Sequence, residues 1–376
     1  MVVSNIVDRS YAELLSPLDY DQVAPIGFLF IQKFFSQTLG KNELVYRLFP
    51  FICSLSSLAL FVKIVKNNFK QNVVIISTAL FALSDYLIRY SAEAKQFGCD
   101  LTITLLLYFM LDRIQDKKRL SFDHLFFGII GAFAVWLSHP SVFVMAGVGS
   151  CLFYTALKEW DLKKVLWILC IITFWVFSFA IFYYAVYFDN DGIINREQSH
   201  FSHYFLPLKF WTISGIQWLL ATFFYLFLDP GGFAFRGLAA FSFLVGVRAL
   251  YSENRIWLLF LMSPVIIALA ISGLKIYPFR GRLLMFLMPA IIIFVALGVE
   301  YIRQQSCKIN HVIGIVLIAL IFMHPILNNL QNLATGDVNK TTVVEDIKPI
   351  LSYIKENKKK DDILYIYYSA KTAFDF

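Results

Sequence analysis

The sequence predicts an all-α polytopic membrane protein with interfacial helices on its outer face and a partial α/β tail domain. Three observations carry that prediction. Of 376 residues, 59% are hydrophobic and only 16% charged, with a mean hydropathy of +0.66. Soluble domains carry about 25% charged residues, and one core cannot absorb such an apolar excess. The apolar residues also fall in runs of the length a bilayer demands, about 20 residues for a helical span. Finally, the basic residues gather in short clusters between alternate runs, which is how orientation in a membrane is written.

No apolar leader stands at the start of the sequence, where Asp8, Arg9 and Glu13 interrupt it, and residues 1–43 are expected as outer-face amphipathic segments. The transmembrane domain covers 44–326, with spans near 44–62, 72–89, 97–113, 123–138, 141–157, 163–187, 233–250, 257–273, 282–301 and 310–326. The segment 207–229 is apolar but contains Lys209, Gln217 and several aromatics, which fits an eleventh span or an interfacial helix. Charge decides between the two. Loops bearing Lys63, Lys66 and Lys70, then Arg113, Lys117, Lys118 and Arg119, then Lys158, Lys163 and Lys164 alternate with loops at 90–96, 139–140 and 188–208. Keeping 207–229 at the interface places Arg248, Arg255, Arg303 and Lys308 on the same cytoplasmic side, so the interfacial reading is preferred. The outer surface then holds 1–43, 188–232, the 274–281 loop and the tail from 327. That tail, 327–376, turns polar and reads as an amphipathic helix followed by a strand, the start of an extracytoplasmic α/β domain. Asn339-Lys340-Thr341 within it fits a glycosylation sequon.

The formal charge of +7 does not point to nucleic acid, since the Lys and Arg residues are clustered between spans instead of lining one face. The five cysteines are scattered and show no metal-ligand spacing. His200 and His203, with Asp189, Asp191 and Glu197, match no specific metal site.

Three stretches resemble the GT-C superfamily of integral membrane glycosyltransferases, the group of protein mannosyltransferases and aminoarabinose transferases. DYDQVAPIGFLFIQKFFSQTLGKNELVYRLFPFICSLSSLAL (19–60) is similar to that family's first outer loop and the span after it. YLIRYSAEAKQFGCDLTITLLLYFML (86–111) is similar to its aromatic–Ser–x–Glu–Ala–Lys/Arg segment, and KIYPFRGRLLMFLMP (275–289) to a late outer loop of bacterial members. The resemblance implies a GT-C-like helical bundle in a bacterial plasma membrane, with its active face extracytoplasmic. It implies transfer of a sugar from a polyprenyl-phosphate donor to a lipid, glycan or protein acceptor. Members of the superfamily place a span and an acidic residue ahead of the region where Met1 stands, so the resemblance also implies a shortened chain whose catalytic competence is open.

That reaction needs a carboxylate to take the acceptor proton and cations for the phosphate leaving group. Glu93, in a short outer loop beside Arg89 and Lys95, is the leading acid, with Asp21 the second catalytic candidate; a membrane-border ion pair and a solvated loop acid are their respective structural alternatives. Arg280 and Arg282 are the best phosphate ligands: arginine's planar fork matches phosphate, and two outer-side arginines run against the positive-inside trend. Tyr277, Lys95, Arg47, Asp19, Asp100 and His139 complete the substrate-binding candidates. Asp100 stands out because an acid one turn into a span needs pairing or water. No metal ligand set is assigned, although a divalent cation near Asp19 and Asp21 stays open. A lipid-linked glycan flippase and a non-catalytic relative are the alternatives, against which stand the absence of a clear internal repeat and the presence of Glu93, Arg280 and Arg282.

Overall fold

The structure, a computed structural model, describes residues 2–19, 22–115, 121–187, 201–306, 311–335, 348–359, 362–366 and 374. Asp21, the basic residues 117–119, Lys308, His200 with its neighbouring acids and the sequon lie outside these residues. Among the described residues every regular element is a helix.

The N-terminal segment forms α1 (Val2–Asp8) and α2 (Ile26–Leu39). Two side chains fix it. Asn5 accepts from the Asp19 backbone N–H at 2.8 Å and donates to the Asp19 carbonyl, and the buried Lys33 donates to the Ile6 carbonyl at 2.9 Å, quenching the C-terminal end of α1. The bundle follows as α3 (Glu43–Asn68), α4 (Gln71–Ala82), α5 (Asp85–Ser91), α6 (Phe97–Ile114), α7 (Phe122–Leu137), α8 (Ser141–Lys158) and α9 (Leu162–Tyr187). It continues with α10 (Ile213–Leu228), α11 (Arg236–Glu253), α12 (Arg255–Gly273), α13 (Met288–Ser306) and α14 (His311–Thr335), and α15 (Lys348–Asn357) lies in the tail. Residues 362–366, where the tail strand was expected to begin, join no ladder.

Among the described residues six helical segments are long and apolar enough to cross a membrane: α3, α8, α9, α12, α14, and α13 together with the 3-10 turn before it. Three of the ten expected spans miss that threshold. α6 carries Asp100, Asp112 and Arg113, α11 carries Arg236, Arg248 and Glu253, and α7 is 16 residues long. The expected span 72–89 is a bent pair, α4 and α5 meeting at 51°, and counts as a seventh crossing if taken as one. The chain breaks at Ser84, and the carbonyl of Leu83 released by the break accepts from Asn329 of α14 at 2.9 Å.

Proline carbonyls are recaptured in the same way. Pro50 cannot donate to Tyr46, four residues back, and the Tyr46 carbonyl instead accepts from Gln32 of α2 at 2.8 Å. Pro264 likewise frees the Phe260 carbonyl, toward which the Tyr108 hydroxyl of α6 reaches at 3.5 Å. In lipid no water stands ready for such groups, so side chains supply the donors; at Phe260 the Ser263 hydroxyl of the same helix also donates, at 3.3 Å.

α13 is the centre of the bundle, with every residue from Met288 to Glu300 buried. Its closest neighbour is α11. A methyl group built on Gly246 would stand 1.9 Å from the Phe294 carbonyl oxygen, and one on Gly298 only 1.7 Å from that of Ser242. Small residues at a helix crossing let the backbones approach to this degree. The rim helix α9, by contrast, turns Leu166, Phe174, Val176 and Phe177 outward, the surface a lipid-facing helix presents.

Candidate active site

Several charged groups meet around α5, the end of α10 and the turn before α13. On one side stands α5 with the loop that follows it. Arg89 and Glu93 are paired there at 3.3 Å, each 29% exposed. The loop is tied to the N-terminal segment by Gln96, whose amide donates to the Val23 carbonyl at 3.2 Å. Lys95, half-buried in this loop, has its ammonium pKa lowered, first by burial and then by Arg282 and Arg89, against which Glu93 partly compensates.

Facing it is the C-terminal end of α10. Asp229 accepts from the Tyr225 hydroxyl at 3.0 Å. Gly281 takes a left-handed backbone, φ +55°, and a methyl group on it would stand 3.2 Å from Asp229 Oδ2. The turn Arg280-Gly281-Arg282 therefore bends around this carboxylate, and glycine is the residue that both the dihedral and the space admit. The guanidinium of Arg280 lies over two rings, 4.0 Å from the centroid of Tyr225 and 4.4 Å from that of Tyr204. Such stacking engages the faces of the cation while its N–H edges remain the hydrogen-bonding groups. It lines a cavity of about 160 Å³ together with Trp218, Thr222 and Phe279.

Tyr90 joins the two sides, since Glu93, Arg282, Arg89 and Asp229 all act on it electrostatically. Arg282 also lies 5.5 Å from the Phe97 ring, at the start of α6. Arg89, Glu93, Lys95 and Arg282 thus form one cluster, with Asp229 acting on it through Tyr90 and Arg280 held beside Asp229 in the neighbouring cavity, a chemistry of several cations and two carboxylates. Such a set holds a phosphate and offers a proton acceptor beside it.

The structure brings together Glu93, Lys95, Arg280 and Arg282 from the sequence candidates and sets the others apart. Tyr277 donates to the Leu283 carbonyl at 2.8 Å and packs edge-on to Phe143, so it braces the loop that bears the arginines. Arg47 is paired with Glu43 one helical turn away. Asp19 is paired with Arg9 at 2.9 Å. Asp100 is buried within α6, and His139 packs against Phe182 beside the N-terminal segment, where burial pushes its pKa down to about 4. Asp21 lies outside the described residues. Among the described residues no three His, Cys, Asp or Glu side chains converge as a metal site.

Sequence reasoning missed Asp229, together with Tyr204 and Tyr225. The signal was present as an acid closing an apolar, aromatic run, in YLFLDPGG (225–232), on the side already expected to face outward. It was passed over because the acid ends a segment read as interfacial, where a carboxylate is ordinary.

The sequence model of the dolichyl-phosphate-mannose-protein mannosyltransferase family matches residues 23–183. That stretch runs from the N-terminal segment through α9 and includes α5, Arg89, Glu93 and Lys95. A comparison with curated proteins gives no match. Over residues 23–183 the chain is therefore similar to a family of integral membrane glycosyltransferases.

Proposed function

We propose that this membrane glycosyltransferase takes its sugar from a polyprenyl-phosphate carrier and passes it to an acceptor on the extracytoplasmic face of a bacterial plasma membrane. The observation that carries the reading is the meeting of Arg282 and Lys95 with the Arg89–Glu93 pair in an apolar bundle. In this reading Arg282, Lys95 and Arg280 hold the donor phosphate. Glu93 takes the proton of the acceptor hydroxyl or amine as its oxygen or nitrogen bonds to the anomeric carbon. The bond from that carbon to the phosphate oxygen breaks, and the carrier leaves as a phosphate monoester stabilised by the cations. Asp229 orders the arginine turn and takes no proton.

The test uses membranes containing the full chain and a radiolabelled polyprenyl-phosphate sugar. Glu93→Gln lowers transfer roughly 10²–10⁴-fold, as loss of a general base does. Arg282→Ala lowers it about 10²–10³-fold, as loss of a charge-stabilising donor does. Full activity in Glu93→Gln removes Glu93 from the chemistry. Absence of transfer by the unaltered chain with any such donor, while it still binds polyprenyl phosphate, moves the reading to a carrier-binding protein.

A further inference from the structure

α3 and α6 lie side by side, parallel and in register. The hydroxyls of Ser57 and Thr102 meet at 2.8 Å and Asn67 donates to Asp112 at 2.7 Å, both across 45 residues of sequence. A constant offset of this kind brings the basic ends of both helices to one level. The Lys63 ammonium lies 4.9 Å from the centroid of the Phe109 ring, and the Arg113 guanidinium stands 5.9 Å from the same centroid. Lys66 follows on the same face of α3, and Lys63, Lys66 and Arg113 are all exposed. The nearby carboxylates are engaged. Asp112 takes the amides of Asn67 and Asn68, one on each oxygen, and Asp123 is paired with Arg113 at 3.1 Å. Among the described residues neither Lys63 nor Lys66 has a carboxylate partner.

Ile52, Leu55, Ala59, Lys63 and Lys66 recur every three or four residues, so they form one outward stripe of α3, and all five are exposed. Leu106 and Phe109 of α6, half-buried, border it. From Ile52 to Lys63 the stripe runs about 16 Å at ~1.5 Å per residue, close to one leaflet's share of a ~30 Å hydrocarbon core. It is apolar over that depth and cationic at its end. We propose that this face of α3, with the Phe109–Arg113 edge of α6, is a binding site for one anionic glycerophospholipid of the leaflet that the basic loops meet. Lys63 and Lys66 take the phosphate oxygens. Arg113, shared with Asp123, adds charge beside them, and an acyl chain lies along Ala59, Leu55 and Ile52. Clustered cations at the ends of spans recognise acidic headgroups in this way. A choline headgroup fits poorly, because its own cation would enter the field of three others. None of these residues takes part in the proposed transfer, so the lipid site and the transferase reading stand or fall separately.

The test is native mass spectrometry of the full chain released from detergent micelles and titrated with dioleoyl phosphatidylglycerol, dioleoyl phosphatidylcholine or soluble glycerol phosphate. Phosphatidylglycerol is expected to bind as one tightly held molecule, with phosphatidylcholine and glycerol phosphate clearly weaker. A lysine beside an acidic headgroup adds about fivefold in affinity, so the double variant Lys63→Gln, Lys66→Gln weakens phosphatidylglycerol roughly 25-fold. Lys66→Gln alone, expected to be about fivefold weaker, carries the test should the double variant fail to fold. The control is Lys158→Gln with Lys163→Gln, which removes the same charge from two exposed positions flanking the turn between α8 and α9 and leaves the tight site intact. Equal weakening by the control pair reduces the effect to diffuse attraction by a basic face and overturns the site. Phosphatidylcholine bound as tightly as phosphatidylglycerol overturns the anionic preference, and glycerol phosphate bound as tightly overturns the lipid. Unchanged binding in the Lys63 and Lys66 variants removes both residues from any such site.

Discussion

At the scale of single residues, two positions carry the strongest expectations. Lys95 is held below the ordinary lysine range chiefly by burial, with Arg282 and Arg89 adding to it. Its folded-state pKa is lower than its unfolded one, so the charged form is disfavoured in the fold and stability contributed here rises as pH climbs through the folded value. Phosphate binding needs the charged form. Donor affinity is therefore lost on the alkaline side at a pH below ~10.4, the model-peptide lysine value. Lys95→Arg keeps its charge and pushes this limb upward; identical alkaline limbs in the two proteins rule out Lys95 as a phosphate ligand. Gly281→Ala combines an unfavourable left-handed residue, about 1–2 kcal/mol, with a methyl group against Asp229. The expected result is transfer reduced through a weakened donor KM while the bundle still folds, measured by kinetics beside thermal stability. Unchanged kinetics deny that the turn positions Arg280 and Arg282. The sequence drew attention to Glu93 and Lys95, and to Arg280 and Arg282, because each pair sits in a short polar stretch between apolar runs. Asp229 was not, because its partners Tyr225 and Gly281 are brought to it only by the fold.

At the scale of elements, the packing of α11 on α13 sets the tightest constraint. Gly298→Val puts a branched Cβ 1.7 Å from the Ser242 carbonyl oxygen. Overpacking of this kind costs typically ~1–3 kcal/mol and more when backbone must move. The expectation is a lower midpoint of thermal inactivation in detergent and reduced yield. Wild-type stability in that variant means the helices cross elsewhere. Helix existence was legible for α3, α8, α9, α12 and α14, which run to 18 residues or more without crowding by charge. The break between α4 and α5 was not. No proline or glycine marks it; it stands at Leu83-Ser84 because Asn329 of α14 captures the Leu83 carbonyl, a contact 246 residues away. α6 was legible as a helix and its Asp100 as an acid inside a span; the link of its partly exposed Asp112 to Asn67 and Asn68 of α3 was not, because it joins residues more than forty positions apart.

At the scale of the molecule, the proposed function requires that the charged cluster face outward and the basic loops inward. Trp160 is fully exposed in the turn between α8 and α9, and Leu274 is exposed in the turn before the arginines. In cells expressing a chain freed of its five cysteines, Leu274→Cys reacts with a membrane-impermeant maleimide added outside. Trp160→Cys reacts only after the membrane is opened. The reverse pattern places the arginines in the cytoplasm and excludes an extracytoplasmic transferase. The charge alternation behind this expectation is a property of the chain's linear pattern, which is why orientation is argued from sequence, whereas the joining of α5, α10 and the 274–281 loop around the charged cluster depends on contacts across the whole chain.

The burial of α13 has a mechanical corollary. A helix sheathed on all sides does not feel the thickness of the bilayer, whereas rim helices such as α14 tilt to match it. Arg280 and Arg282 enter the sheathed helix, while Asn328, Asn329 and Asn332 ride on the rim. Under the proposed function lipid chain length thus acts on the rim alone: thinner or thicker membranes move the C-terminal end of α14 and spare the grip of Arg280 and Arg282 on the phosphate.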